Sequence, residues 1–376
     1  MSNPENWFYP FIKTHNKDNW AGYVSPRMGF FNRDIPDVSF GTGFLVATRY
    51  GIMDLPHIHD GAYNFFIFTG ADLDNIFETP FEAEFFLGEN GQEFEQYTIT
   101  KPTFVIAPPG VYHSPIYFKK VTKGFNSMIQ YSGHTSRRIY SELDENGEEV
   151  ERVAKENVKT CIKDSTKLCT FCGLCFTDPN ETEQQVIDKM APIHAKVVNT
   201  EKFKKYVYEL KKDYHKLGDA VMNPRLSFKG SEELPEAEYQ FSFNIITAPC
   251  KLGDDEPVSN GQIAEFLWFS GTDVTDSWAT FDAEIEVMVG DDPDNMKPVT
   301  FSEPGVIAIP PGKWRGAITV KRADKPICFM PWYPHTKKRY KITRKIVDGK
   351  PVLVYDDETT IKNPTAGDEL FMQIKR

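Results

Sequence analysis

The stretch Asn64-Phe65-Phe66-Ile67-Phe68-Thr69-Gly70 returns about two hundred residues later as Glu265-Phe266-Leu267-Trp268-Phe269-Ser270-Gly271. Further echoes follow in the same order. Phe81-Glu82-Ala83-Glu84 recurs as Phe281-Asp282-Ala283-Glu284, and Pro108-Pro109-Gly110 as Pro310-Pro311-Gly312. His134-Thr135-Ser136-Arg137-Arg138 recurs as His335-Thr336-Lys337-Lys338-Arg339. Each copy then carries a hairpin signal, Asn146-Gly147 in the first and Asp348-Gly349 in the second. One shared tetrapeptide would be chance, but a series in register is an internal duplication.

Within each copy the apolar runs are short, aromatic and β-branched, as in Phe104-Val105-Ile106-Ala107 and Val306-Ile307-Ala308-Ile309, and turn residues bound them. That is the texture of small antiparallel barrels. The expected fold is mainly β, with one barrel in residues 1–152 and a second in 236–376. Between them, 153–235 reads as a helical insertion. Asp178-Pro179-Asn180-Glu181 has the cap acid, first-position proline and following glutamate of a helix start. Phe203, Val207, Leu210, Tyr214 and Leu217 fall on one helical face, with Gly218 placed to end it and six lysines on its solvated side.

Composition narrows the function classes. The 376 residues carry 43 Lys+Arg against 54 Asp+Glu, a net charge of −11, which argues against a phosphate-backbone partner. The start of the chain has no basic segment leading into an apolar run, and no apolar stretch approaches the roughly 18 residues of a membrane span. Six cysteines, four of them crowded between Cys161 and Cys175, read as reduced, metal-type usage, so a cytoplasmic setting is expected.

Two features carry chemistry. In the first copy Gly51 is followed by His57-Ile58-His59, and Pro108-Pro109-Gly110-Val111-Tyr112-His113 brings a third histidine after a tight turn. Alternate residues of a strand share a face, so His57 and His59 aim their imidazoles at one point. Three neutral imidazoles converging in a barrel suit zinc, iron, manganese, nickel or copper. The second feature is Cys169-Thr170-Phe171-Cys172-Gly173-Leu174-Cys175 with Cys161 upstream. Two-residue gaps let thiolates wrap one ion, so a structural zinc through Cys161, Cys169, Cys172 and Cys175 is the first expectation and an iron–sulfur cluster the second. Free thiols are the plain alternative.

On these residues the chain resembles the cupin superfamily, specifically two-domain bicupins. The first family motif, glycine, five residues, His-x-His, a glutamate and a later glycine, is matched by Gly51, His57, His59 and Gly70, with Asn64 where the glutamate usually stands. Pro108, Gly110 and His113 match the second motif, Pro-x-Gly-x-x-His. The resemblance covers both repeats and implies two double-stranded β-helix (jelly-roll) barrels. The first would hold one divalent transition metal, Mn, Fe or Zn. The second, with Pro257 to Asn260 at the His-x-His positions and Arg315 at that of His113, should hold none. Arg315 reads as an ordinary surface arginine in preference to a carboxylate binder.

A dication held by neutral imidazoles favours an anionic chelating ligand. The leading expectation is a metal-dependent hydrolase or lyase acting on a small carbonyl compound, by oxygen-independent C–C cleavage of a cyclic β-diketone through a metal-stabilised enolate. Asn64 would orient water or substrate, and Glu84, if it faces inward, would transfer the proton. The alternatives are a three-histidine Fe(II) dioxygenase and a non-enzymatic small-molecule binder. The expected partner is a small molecule, not nucleic acid or a membrane, and a homodimer is compatible with this reading.

Overall fold

The computed structural model describes residues 7–362 except 14–23, 25–27, 31–33, 36–39, 54–55, 60, 133–137, 144–148, 154–159, 162–163, 169–179, 191–195, 236, 238, 254, 262, 335–340 and 356–357. The chain forms two compact units, Ile12–Leu210 and Met1–Phe11 with Lys211–Arg376. Residues 153–235, expected as a separate insertion, are thus shared between the two.

Each unit is built on a pair of facing sheets, the first unit also carrying the two-stranded ladder of Thr160–Cys161 with Asp164–Leu168, and among the described residues the strands pair antiparallel except Lys196–Val197 with Glu93–Ile99. In the first unit an eight-stranded sheet runs Glu149–Val153, Arg138–Leu143, His57–His59, Tyr112–Lys119, Glu82–Gly88, Glu93–Ile99, Lys196–Val197, with Gly51–Met53 also paired to Tyr112–Lys119. It faces a six-stranded sheet centred on Tyr63–Gly70, Phe125–Ser132 and Phe40–Ala47. Phe66, Phe68, Phe85, Ile116 and Phe125 fill the space between. The duplication holds at the level of strands. Glu265–Gly271, Ala283–Gly290, Gly305–Ile309 and Trp314–Ala323 take the same places in the second unit, around a core of Leu267, Phe269, Ile285, Val287 and Ile318. The alternation that drives this is plain in Ala283–Gly290, where buried and half-buried residues take turns.

The Asp348-Gly349 signal is a two-residue hairpin joining Ile342–Val347 to Lys350–Tyr355, with both central residues at positive φ, 52° and 73°. Strands distant in sequence close each unit. Phe8–Pro10 pairs with Gly305–Ile309 in the second unit, and Val207–Glu209 pairs with Thr103–Ala107 in the first. The segment at the start of the chain thus belongs to the second unit, and a segment from the expected insertion to the first, which no local pattern announces.

The expected helix over Phe203–Leu217 does not form. That segment holds a short 3-10 turn, Lys204–Tyr206, and the strands Val207–Glu209 and Lys211–Asp213. Phe203 and Leu210 are buried, but Tyr214 is 69% and Leu217 37% exposed, so the apolar set does not share one covered face. Ladder pairing to two different sheets outweighed a weak helical periodicity. One short helix, Glu183–Met190, does occur in the region. Its cap is a reciprocal box in which Gln185 N–H donates to Thr182 Oγ1 (3.3 Å) and Thr182 N–H to Gln185 Oε1 (2.8 Å), later than the start expected at Asp178. No helix among the described residues is long and apolar enough to cross a membrane.

Candidate metal centre

His57 and His59 flank half-buried Ile58 on a three-residue strand, and both are 1% exposed. The neighbouring strand Tyr112–Lys119 sets His113, also 1% exposed, directly opposite His57. A nitrogen from each of the three imidazoles lies within 4.8 Å of the others, and the ring centroids are 4.3–5.3 Å apart. With metal–nitrogen bonds of about 2.0–2.1 Å, a small rotation of the rings would let all three bind one ion.

A bulge makes this possible. Between His113 and Ile116 the register against Glu82–Gly88 shifts, with Ser114 at φ 75°. Without the shift, residues three apart would point to opposite faces. With it, His113 opposes Leu87, Ile116 opposes Phe85 and Phe118 opposes Ala83, all on the core side.

Hydrogen bonds orient the site. His113 Nδ1 lies 3.2 Å from the carbonyl of Val111, which can accept the ring N–H and so makes Nε2 the lone-pair nitrogen on the side of Asn64. Val111 is fixed by its own N–H donating to Pro108 O (3.1 Å), so the Pro-Pro-Gly turn sets the ring indirectly. Asn64, 2% exposed, places Nδ2 2.8 Å from His113 Nε2, while its Oδ1 is buried with no hydrogen-bond partner among the described residues. A buried amide oxygen without a partner costs free energy, and an ion or its water beside it would remove that cost. The donor set therefore fits a divalent transition metal. Phe66 packs against the His113 ring in an edge-to-face arrangement, centroids 5.5 Å apart, and closes the apolar side.

The sequence-based site residues divide clearly. His57, His59, His113 and Asn64 come together. Glu84 does not: it alternates with core residues Ala83 and Phe85, opposes Tyr117 across the ladder, and pairs on the outer face with Lys119. Among the described residues no carboxylate joins the three imidazoles. Cys161 stands on the strand Thr160–Cys161, its side chain outside the description, and Cys169, Cys172 and Cys175 lie outside the described residues.

The second unit puts something else at the same place. Arg315 opposes Val258 as His113 opposes His57, so Val258, Asn260, Glu265 and Arg315 take the positions of His57, His59, Asn64 and His113. Arg315, expected on the surface, is largely buried, with 12% of its side chain exposed against 1% for Glu265. Its Nε and Nη2 each donate to a Glu265 oxygen at 2.9 Å. Asn260 Nδ2 (2.8 Å) and the Tyr333 hydroxyl (2.7 Å) donate to the same carboxylate. Burial works against the guanidinium's charge, but Glu265 more than offsets it and holds the group protonated. The signal for this pair was present in the repeat: Glu265 is the acid that the first copy lacks.

Neither a protein-family model nor a curated protein sequence matches the chain. Solved structures do. Oxalate decarboxylase from Bacillus subtilis superposes with a TM-score of 0.54 at 11% identity, covering 91% of this chain and 79% of that one. The Lactobacillus farciminis oxalate decarboxylase in its formate complex gives 0.52 at 14% identity, with 91% and 89% covered. At such identities the likeness is one of fold, and it spans both units: this chain has the two-domain cupin architecture.

Proposed function

We propose that the N-terminal barrel is the active centre of a metal-dependent cupin enzyme for a small carbonyl or carboxylate compound. The observation that carries this reading is the buried cluster of His57, His59 and His113, with Asn64 where a fourth, anionic ligand would otherwise sit. The favoured reaction is oxygen-independent hydrolytic or lytic cleavage of a carbon–carbon bond in a cyclic β-diketone.

A bound divalent ion would supply Lewis-acid stabilisation of negative charge on the substrate oxygens. The protein's share is positioning. Neutral imidazoles do not spend the ion's charge, so the site favours an anionic or readily ionised chelate over a neutral one. Asn64 offers both a donor and an acceptor beside His113, suited to holding a water or a substrate oxygen. The Phe66 and Phe85 walls exclude bulk water and strengthen these interactions. Glu84 has no part in this scheme, because it lies on the outer face. The substrate class is shared in outline with the oxalate decarboxylases the fold resembles, whose substrate is a small carboxylate.

The test is turnover under argon. Protein purified without oxygen and loaded with Mn(II), Zn(II) or Fe(II) is incubated with cyclohexane-1,3-dione, and formation of 5-oxohexanoate is followed. Ring opening under argon, lost in His57→Ala, supports the reading. Turnover that needs both Fe(II) and dioxygen would replace it with a three-histidine dioxygenase.

A further inference from the structure

The second unit contains a cavity of about 490 Å³, within the range of small-molecule sites. It occupies the lumen where the first unit has its histidines, since Val258 and Arg315 line it. Phe241, Leu252, Ile318 and Phe329 form its apolar wall. Exposed Lys229 and partly exposed Leu217 also line it, so it reaches the surface.

Two guanidiniums face this space. Arg225, 9% exposed, donates through Nη1 to Asn244 Oδ1 (2.8 Å) and through Nη2 to Asp213. Its Nε is buried with no hydrogen-bond partner among the described residues. Arg315 directs three of its five N–H groups to Glu265 and the Gly316 carbonyl and also interacts with the Tyr333 hydroxyl. Each guanidinium is charge-balanced by its own carboxylate, and the Arg225 Nε remains a buried donor without a partner among the described residues. The remaining charged lining residues are Lys229 and Lys341 against Glu232, an excess of one positive charge. A buried donor without a partner, a single positive excess and an aromatic wall describe the complement of one anion with an apolar body.

We propose that the C-terminal barrel binds a small organic monocarboxylate in this cavity without a metal, through Arg225 and Arg315, with the ligand's apolar body against Phe241 and Phe329. Arginine suits the role because its planar fork matches carboxylate geometry. This site is independent of the metal centre.

The test uses full-length protein stripped of metal by a chelator and titrated calorimetrically with benzoate, benzamide and inorganic phosphate. Benzoate is expected to bind one site with a Kd at or below about 1 mM, and benzamide at least about tenfold more weakly. Reversing the exposed charge in Lys229→Glu should weaken benzoate at least about threefold. Filling the lumen in Ile318→Trp should abolish binding, and if that variant does not fold, Lys229→Glu still decides. His57→Ala should leave benzoate binding unchanged, and a benzoate-soaked crystal should show the carboxylate at Arg225 and Arg315. Benzamide binding as tightly as benzoate would sink the proposal. So would binding of phosphate alone, no benzoate binding, insensitivity to Lys229→Glu, or loss of binding in His57→Ala.

Discussion

Four equivalent positions in the two barrels solve the same electrostatic problem in opposite ways. His57, His59, Asn64 and His113 bring three imidazoles and an amide together in a buried cluster with no carboxylate among the described residues, and on the proposed reading a bound ion supplies the charge. Val258, Asn260, Glu265 and Arg315 bring their own cation and its counter-charge, bonded in place. A duplicated barrel tolerates exchange of its central chemistry when the exchange is complete. A lone histidine-to-arginine change would leave a buried charge unpaired; here Glu265, Asn260 and Tyr333 accompany it.

The largest effect should come from the metal side. His113→Ala removes one of three ligands, and metal retained after dialysis should fall at least about a hundredfold in affinity, with activity at background. Retention of full metal content would contradict a ligand role for His113.

The charge-pair side is tested by stability. Arg315→Met leaves Glu265, 1% exposed in its side chain, buried without its cation, and should cost about 3–5 kcal/mol by denaturant unfolding. The double variant Arg315→Met with Glu265→Leu should recover most of that loss. If the single and double variants are equally unstable, the pair is not what replaces the metal.

A smaller, pH-dependent effect belongs to Glu95, which ties the segment 200–203 to the first barrel. Burial alone would raise its pKa, but hydrogen bonds from Thr200, Tyr97 and the Phe203 and Lys202 amides outweigh it and hold the carboxyl below its ordinary value of 4.5. A depressed folded-state pKa means that the stabilisation is full above the unfolded value and is lost as pH falls through the folded one. Glu95→Gln should therefore cost about 1.5–3 kcal/mol at pH 7, with the gap to the parent protein closing below about pH 4.5. A gap constant from pH 7 to pH 3 would contradict this.

The least effect is expected at Glu84. Its pairing with Lys119 lies on the outer face, so Glu84→Ala should cost about 1 kcal/mol or less and leave turnover unchanged. A large loss of turnover would return Glu84 to the chemistry and undo the assignment of faces.

The sequence made the duplication, the β class and the histidine cluster legible, because each rests on short-range periodicity or on spacing within one strand and one turn. It could not orient Glu84, since strict alternation names two faces without saying which is inside. Nor did it reveal that the 207–213 segment is extended. That outcome depends on partners at Thr103–Ala107 and Arg225–Phe228, and local propensity carries no record of them. Arg315 was legible only once Glu265 was aligned with Asn64, because a buried arginine is recognisable by its acid, not by itself.

On the proposed reading an ion sits between His57, His59 and His113 and has no counterpart beside Glu265. Crystals of Mn(II)-loaded protein, measured at the manganese absorption edge, test it directly. The predicted anomalous map has one peak bonded to the three imidazoles and none at the Arg315–Glu265 pair. A map of metal-replete protein with no peak among the three histidines would contradict it.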